Sequence, residues 1–331
     1  MDWSKGFTAE YYMAVIDPVS WTDGERIEIL DGSVSHTNEG LMESANVTCT
    51  NINPNREQWV RIWMNAIQGG DIAHQALFTG LINVPQTDFD GSRRNFPLEC
   101  FSVLKPADDI LLQRGWYVTA GADGAKAVKS LLDATPAPSV IDGIAPRLQA
   151  SIIAEDGETN LTMVWKILQA IDWRLRIAGD GTITICPNSN TAVATFGLDY
   201  DMIEPQVTLK DDWFSCPNVF RAVVDNQVAI ARDETEGMLS VPSRGREIWM
   251  EETDCNLNST ESLGAYAYRR LKEEQTRRKI VSYTRRYDPS VYVTDSVQMR
   301  YPEQGLDGIY QITSQSIALG YGAYVDEEVQ S

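Results

Sequence analysis

The stretch LTMVWKILQAIDWRLRIAGDGTITICP, residues 161–187, changes its hydrophobic period part-way along. Leu161, Val164, Trp165, Leu168 and Ile171 recur at helical spacing and make one continuous apolar face. From Trp173 the period drops to two. Trp173, Leu175 and Ile177 alternate with polar neighbours, Gly179-Asp180-Gly181 has turn chemistry, and Ile183 and Ile185 alternate again. The segment therefore predicts a helix followed at once by a β-hairpin, the clearest local unit in the chain. Trp165 and Trp173 are assigned to core packing rather than to ligand stacking.

Working outward, Ala125, Val128, Leu131 and Leu132 form a second helical stripe. It stops before Thr135-Pro136-Ala137-Pro138, because a proline pushes the residue before it toward extended backbone. Residues 1–105 read as strands. Tyr11 to Val15 is a short extended segment, and Ile27 and Ile29 lead through Asp31-Gly32, a turn pair, into Val34. Val47 and Cys49 alternate, as do Val60, Ile62 and Met64, which precede Gly69-Gly70 and a β-rich run from Leu77 to Val84. Phe96, Leu98, Cys100 and Ser102 alternate up to Lys105-Pro106. Short strands separated by turns argue for a barrel or sandwich rather than βαβ units.

The last third is again rich in strands. Val219, Ala222 and Val224 precede Asp225-Asn226, then Val228 and Ile230. Asn258 with Glu261 predicts a capping box for a helix that buries Leu263, Ala267 and Leu271, with Tyr266 beside them. Ile280–Tyr283, Val291–Met299 and Ile309–Leu319 are strand candidates, the last two divided by Asp307-Gly308. A chain of 331 residues carries two or three domains as its prior. The expected fold is mainly β with α+β elements. Its parts are a first β domain over 1–105, an intermediate α+β segment with helix and hairpin over 106–200, and a second β domain with one helix over 201–331.

Charge narrows the function. There are 47 acidic against 28 basic residues, a formal net charge of -19, whereas nonspecific nucleic-acid capture needs Lys and Arg to neutralise phosphates. The densest cationic pieces are Arg269-Arg270-Lys272, Arg277-Arg278-Lys279 and Arg285-Arg286, with Glu273 and Glu274 among them, which reads as a solvated or interprotomer face. The five cysteines, Cys49, Cys100, Cys186, Cys216 and Cys255, have no CxxC spacing and are expected as buried free thiols. A start without a charged-then-apolar leader and the lack of an eighteen-residue apolar run support neither export nor a membrane span.

Catalytic chemistry finds no foothold. His36 and His74 stand apart, with no HxxxH or HExxH pattern, and His74 is read as a hydrogen-bonded structural histidine. Ser243-Arg244-Gly245 lacks the first glycine of a nucleophile elbow, and the glycines at 121 and 124 make no phosphate loop. Asp108-Asp109, Asp211-Asp212, Glu251-Glu252 and Glu327-Glu328 are adjacent pairs, not carboxylates facing across a cleft. Asp88, Asp90 and Gly91 only begin a calcium loop. No catalytic residue, no cofactor-binding residue and no metal ligand is assigned, and no cofactor is expected.

Three segments together resemble the tail-hub proteins of phages and related contractile injection systems: Phe7–Asp17 with Trp21–Glu25 and Ile27–Val34; Leu161–Pro187; and Val281–Thr284, Asp295–Val297 and Gly308–Ser316. The resemblance implies two tail-tube-like β-barrel domains with a small helix-hairpin domain between them. It also implies a non-enzymatic homotrimer at a virion tail tip or baseplate, assembled in the bacterial host cytoplasm. Three copies would match a sixfold tail tube or distal tail protein above to a threefold tip, spike or fibre protein below. The lumen would hold the end of the tape-measure protein and pass DNA without specific binding, and an acidic lining would avoid phosphates. Trp59, Trp63, Trp213 and Trp249 are candidates for subunit anchors or for core packing. The rivals are a carbohydrate- or receptor-binding tail module, another distal tail or adaptor protein, and a peptidoglycan hydrolase.

Overall fold

A computed structural model describes residues 1–53, 56–83, 88–91, 93–197, 203–211, 213–224, 227–253, 255, 262–276 and 279–330. The chain is mainly β with α+β elements. The first strands are β1 (Thr8–Asp17), β2 (Thr22–Thr37), β3 (Glu43–Cys49), β4 (Trp59–Gln68), β5 (Asp71–Ile82), β6 (Asp88–Asp90) and β7 (Arg93–Ser102). Next come α1 (Lys105–Asp109), β8 (Tyr117–Val118), α2 (Gly124–Leu132), β9 (Ser139–Ile141), β10 (Ile152–Ile153), α3 (Asn160–Ile171), β11 (Trp173–Ile177) and β12 (Ile183–Pro187). The remainder is β13 (Ala192–Gly197), β14 (Ile203–Asp211), β15 (Val219–Val224), β16 (Gln227–Arg232), α4 (Val241–Arg244), β17 (Trp249–Thr253), α5 (Leu263–Thr276), β18 (Lys279–Arg286), β19 (Ser296–Tyr301), β20 (Leu306–Ala318) and β21 (Tyr324–Gln330). Two compact units result, Met1–Pro205 with Tyr283–Glu327, and Gln206–Ser282 with Glu328–Ser331.

In the larger unit, antiparallel pairing runs β1-β4-β5-β7-β3-β2, and β2 pairs back with β1, so the hydrogen-bond circuit returns to its start. The circuit pairs most strand edges, which otherwise invite uncontrolled association, although β5 meets β7 only over Gly80–Ile82. Alternating apolar residues fill its interior. Val60, Ile62, Met64 and Ala66 of β4 are fully buried, as are Met13, Val34, Cys49, Phe78 and Cys100, all in one apolar cluster.

The Asp31-Gly32 pair is not a turn: β2 runs through it, and the register shifts between Ile29 and Asp31. The bulge changes which alternate residues point inward, from Ile27 before it to Val34 and His36 after it. A Cβ on Gly32 would sit 2.5 Å from the Asn46 carbonyl oxygen, so the close approach of β3 requires glycine there. Beyond the bulge, Ser33–Thr37 also pair with Ala318–Ser314 of β20. The strand β20 likewise contains the Asp307-Gly308 pair that the sequence marks as a turn; the turn lies earlier, at Pro302–Gln304 and Gly305. Val291–Val293 lie ahead of β19 rather than in it, their polar backbone atoms bonded to side chains in places a strand partner would occupy.

The 161–187 unit matches its sequence reading: α3, then β11 and β12 paired antiparallel, with β9 added parallel to β12. Thr159 caps α3, its Oγ1 accepting from the Thr162 amide while Thr162 Oγ1 accepts from the Thr159 amide. Thr159→Ala is expected to cost about 1 kcal/mol in chemical denaturation, the usual loss of a helix cap. The start of α2 lies against α3 because Gly124 carries no Cβ; one would meet Ile171 Cγ2 at 2.8 Å. Trp173 is buried, but Trp165 is only half-buried and donates its Nε1–H to the Gly40 carbonyl.

In the smaller unit, β15 lies between antiparallel β16 and parallel β17. One sheet face carries Phe220, Ala222 and Ala231 against Tyr266, Ala267 and Leu271 of α5. The capping residues Asn258 and Glu261 and the turn Asp225-Asn226 lie outside the described residues.

Candidate functional site

Polar side chains buried between strands, loops and the hairpin set the geometry of the larger unit. At the tip of β11–β12, Arg61 of β4 is the organiser. Its Nε donates to Thr79 Oγ1 (3.0 Å), Nη1 to Asp23 Oδ1 (2.5 Å) and Nη2 to the Asp180 carbonyl (2.9 Å). Thr79 donates on to the Gly179 carbonyl at 2.7 Å, and Trp21 Nε1 donates to the Asp180 carbonyl at 3.0 Å. The hairpin tip is therefore held through main-chain oxygens, which no substitution at Asp180 itself would remove.

On the same hairpin, Arg174 and Arg176 both reach the buried Asp295 carboxylate, at 3.3 and 3.4 Å. A third buried cluster joins β18, β20 and β21. Arg285 is 1% exposed, and its Nε and Nη2 donate to the two Glu327 oxygens at 3.0 and 2.9 Å. Tyr283 and Gln315 donate to the same carboxylate, so all its lone-pair directions face donors.

His36 and Glu43 face each other across β2 and β3 with Nε2 and Oε1 3.5 Å apart, and Tyr292 donates to that Glu43 oxygen. Burial pulls His36 down to about 4 and pushes Glu43 up to about 8, the latter reinforced by Asp180. Glu43 thus holds its proton in the folded chain while the unfolded chain releases it near 4.5, so folding stability falls as pH rises from there to about 8. His36 acts oppositely: the unfolded chain binds the extra proton between about 4 and 6.5, so stability rises with pH over that window. Above pH 6.5 only the Glu43 effect remains. Thermal melts of Glu43→Gln are expected to lose the decline between pH 6.5 and 8 that the parent shows.

The outward face is acidic. Along β1 and β2, Glu10, Asp17, Asp23, Glu25, Glu28 and Asp31 are exposed, with Arg26 set over the Tyr12 ring. Ser33, Asn46 and Glu99 share one row across β2, β3 and β7. With Asp31, Thr48 and Asn83 they line an open groove.

The residues weighed from sequence scatter through the fold. His74 is exposed and its Nδ1 meets Asn65 Oδ1 at 2.8 Å, whereas His36 is 2% exposed. Ser243 lies in α4, and Gly245 is its left-handed cap. Asp108 and Asp109 pair with Lys105, Glu251 with Arg221, and Glu252 with Arg270 and Tyr266. The cationic run on α5 is met by acids, Arg269 by Glu273, and Arg270 by Glu252, Glu273 and Glu274. Side chains at 88, 90, 211 and 212 lie outside the described residues. Among the described residues no three His, Cys, Asp or Glu are grouped to hold a metal ion. All five cysteines are buried free thiols. Trp59 is buried and Trp63 bonds to Asp23, whereas Trp213 (45% exposed), Phe214 (65%) and Trp249 lie open. Missed from sequence were Arg61, Arg285 and Glu43, whose partners are distant along the chain.

No protein-family model matches the chain, and no curated protein sequence does. Solved structures do match. The prophage MuSo2 43 kDa tail protein from Shewanella oneidensis is 14% identical, with a TM-score of 0.66 and 97% of both chains covered. A tail protein from Neisseria meningitidis is 14% identical, with a TM-score of 0.68, covering 98% of this chain and 96% of that one. The prophage tail protein gp18 from Listeria monocytogenes is 13% identical, with a TM-score of 0.56, covering 97% and 94%. At this identity the likeness establishes a shared fold over nearly the whole length.

Proposed function

We propose that the chain is a non-enzymatic structural subunit of a phage-type tail, the hub that joins a sixfold tube to a threefold tip. One observation carries the reading: tail proteins from three bacteria share its fold end to end. The returning strand circuit supports a tube-like β-barrel module in 1–105. In this proposal 201–331 supplies the second such module, and 106–200 stands between them. Three copies then offer six modules around one axis, matching a tube above and a spike or fibre below. The acidic strand faces suit a wall past which DNA and a tape-measure end move without sticking, because like charges repel phosphate.

Cryo-electron microscopy of the native assembly tests this directly. A threefold ring with six β-barrels around an acidic pore is expected. A stable monomer, or a ring whose pore is lined by other faces, would overturn it. A carbohydrate- or receptor-binding role is the second reading, favoured by open Trp213, Phe214 and Trp249. It requires saturable tryptophan quenching by host-surface glycans, which the hub reading does not.

A further inference from the structure

A cavity of about 120 Å³ lies within the larger unit, where β2, β5, β11, β18 and β20 meet the loop before β19. His36, Gln75, Arg176, Arg285, Tyr287, Tyr292 and Gln315 supply its polar side chains. Among the described residues no carboxylate lines it, although acids outnumber bases 47 to 28 in the chain. We propose that this cavity is a binding site for a small oxyanion, held between Arg176 at its mouth and His36 in its interior.

Unmet hydrogen bonds are the first support. Both His36 nitrogens and Glu43 Oε2 are buried without a close hydrogen-bond partner, the nearest polar neighbours of the ring being the Leu77 main chain and Glu43 Oε1 at 3.5 Å. A neutral imidazole carries one N–H donor, and a buried donor left unused is costly. The other polar walls are already engaged. Gln315 accepts from the Val293 amide and donates to Val291 and Glu327, while Arg285 is matched by Glu327. That leaves His36, Tyr287 and Arg176, which shares Asp295 with Arg174 and whose side chain is 37% exposed, to meet a guest.

Charge is the second support. Arg176 and Arg285 line the cavity and no carboxylate does; their counter-charges Asp295 and Glu327, and the neighbouring Asp180 and Asp288, are not among its lining residues. Burial favours the protonated form of Glu43 and the neutral form of His36, so neither adds a negative charge to that wall. Water could meet the imidazole donor but not the charge; an oxyanion meets both, with charge-assisted bonds to the planar guanidinium. Size permits it, since one water needs only about 10–15 Å³ measured this way. The site does not depend on the hub reading.

The test uses the full chain labelled with ¹³C in its histidines, of which there are two. His74, exposed and bonded to Asn65, serves as the internal control. Inorganic phosphate and, separately, acetate are titrated against chloride at constant ionic strength. A saturable shift at the His36 resonance with either anion, and a rise in its titration midpoint, is the expected result. His74 should show neither change. Arg176→Gln should abolish the response in a chain that still folds, with a lowered melting temperature because buried Asp295 keeps Arg174 alone as its cation. If that variant does not fold, Arg176→Lys should fold and bind about tenfold more weakly, having kept the charge and lost the fork. No His36-specific response to either anion overturns the proposal, as does hydration of His36 detected without an anion effect. An undiminished response in a folded Arg176 variant also overturns it.

Discussion

Arg285→Met is expected to destabilise the chain by about 3–5 kcal/mol, the usual cost of removing one member of a buried ion pair. The partner left behind decides this. Glu327 is 2% exposed and would be left in a site built for a guanidinium, with only the Tyr283 and Gln315 donors remaining. Arg285 also donates to the Val291 and Arg286 carbonyls, so the loop before β19 loses an anchor. The double variant Arg285→Met with Glu327→Leu separates the cost of an orphaned charge from the worth of the pair. Apolar replacement of a whole buried pair is often neutral or stabilising, so the double variant should recover much of the loss. Guanidinium denaturation of both variants is the measurement; equal losses would show that packing, not charge, dominates at this position.

Gly179→Val is expected to cost about 3 kcal/mol, from overpacking and the bonds that must break with it. A Cβ at 179 would stand 1.9 Å from the Ala76 carbonyl oxygen, which is main chain and cannot rotate aside. The hairpin tip must then retreat from β5. Retreat breaks the bond from Thr79 to the Gly179 carbonyl and strains those from Arg61 and Trp21 to Asp180. Gly143→Ala is a useful comparison: there the added Cβ meets the Trp173 ring at 3.5 Å and Pro187 Cδ at 3.8 Å, both ordinary contacts, although its φ of +113° brings backbone strain of its own. Hydrogen exchange should rise along β11 and β12 in Gly179→Val and not in the comparison variant, because only the former detaches the tip.

The helix–hairpin unit was legible because all its information is local. A face of Leu161, Val164, Leu168 and Ile171 followed by alternating Trp173, Leu175 and Ile177 identifies both elements without knowing what they pack against. The same local reasoning misplaced Asp31-Gly32 and Asp307-Gly308 as turns. Their composition is that of a turn, but β2 and β20 are long strands with pairing partners on both sides, and pairing overrides the local preference. Arg285 illustrates the same limit in charge. Beside Arg286 it looks like part of a solvated cationic run, yet its carboxylate partner lies 42 residues away.

Sequence alone determined the period of each segment, the acidic balance and the lack of clustered catalytic types, since each depends only on residue identity and short spacing. Tertiary structure decided which strands closed on one another and which charges were buried together. Glu43 and Tyr292, 249 residues apart, meet only because β2 pairs with both β3 and β20. Such encounters depend on strand register summed over the whole sheet, and no local pattern records it.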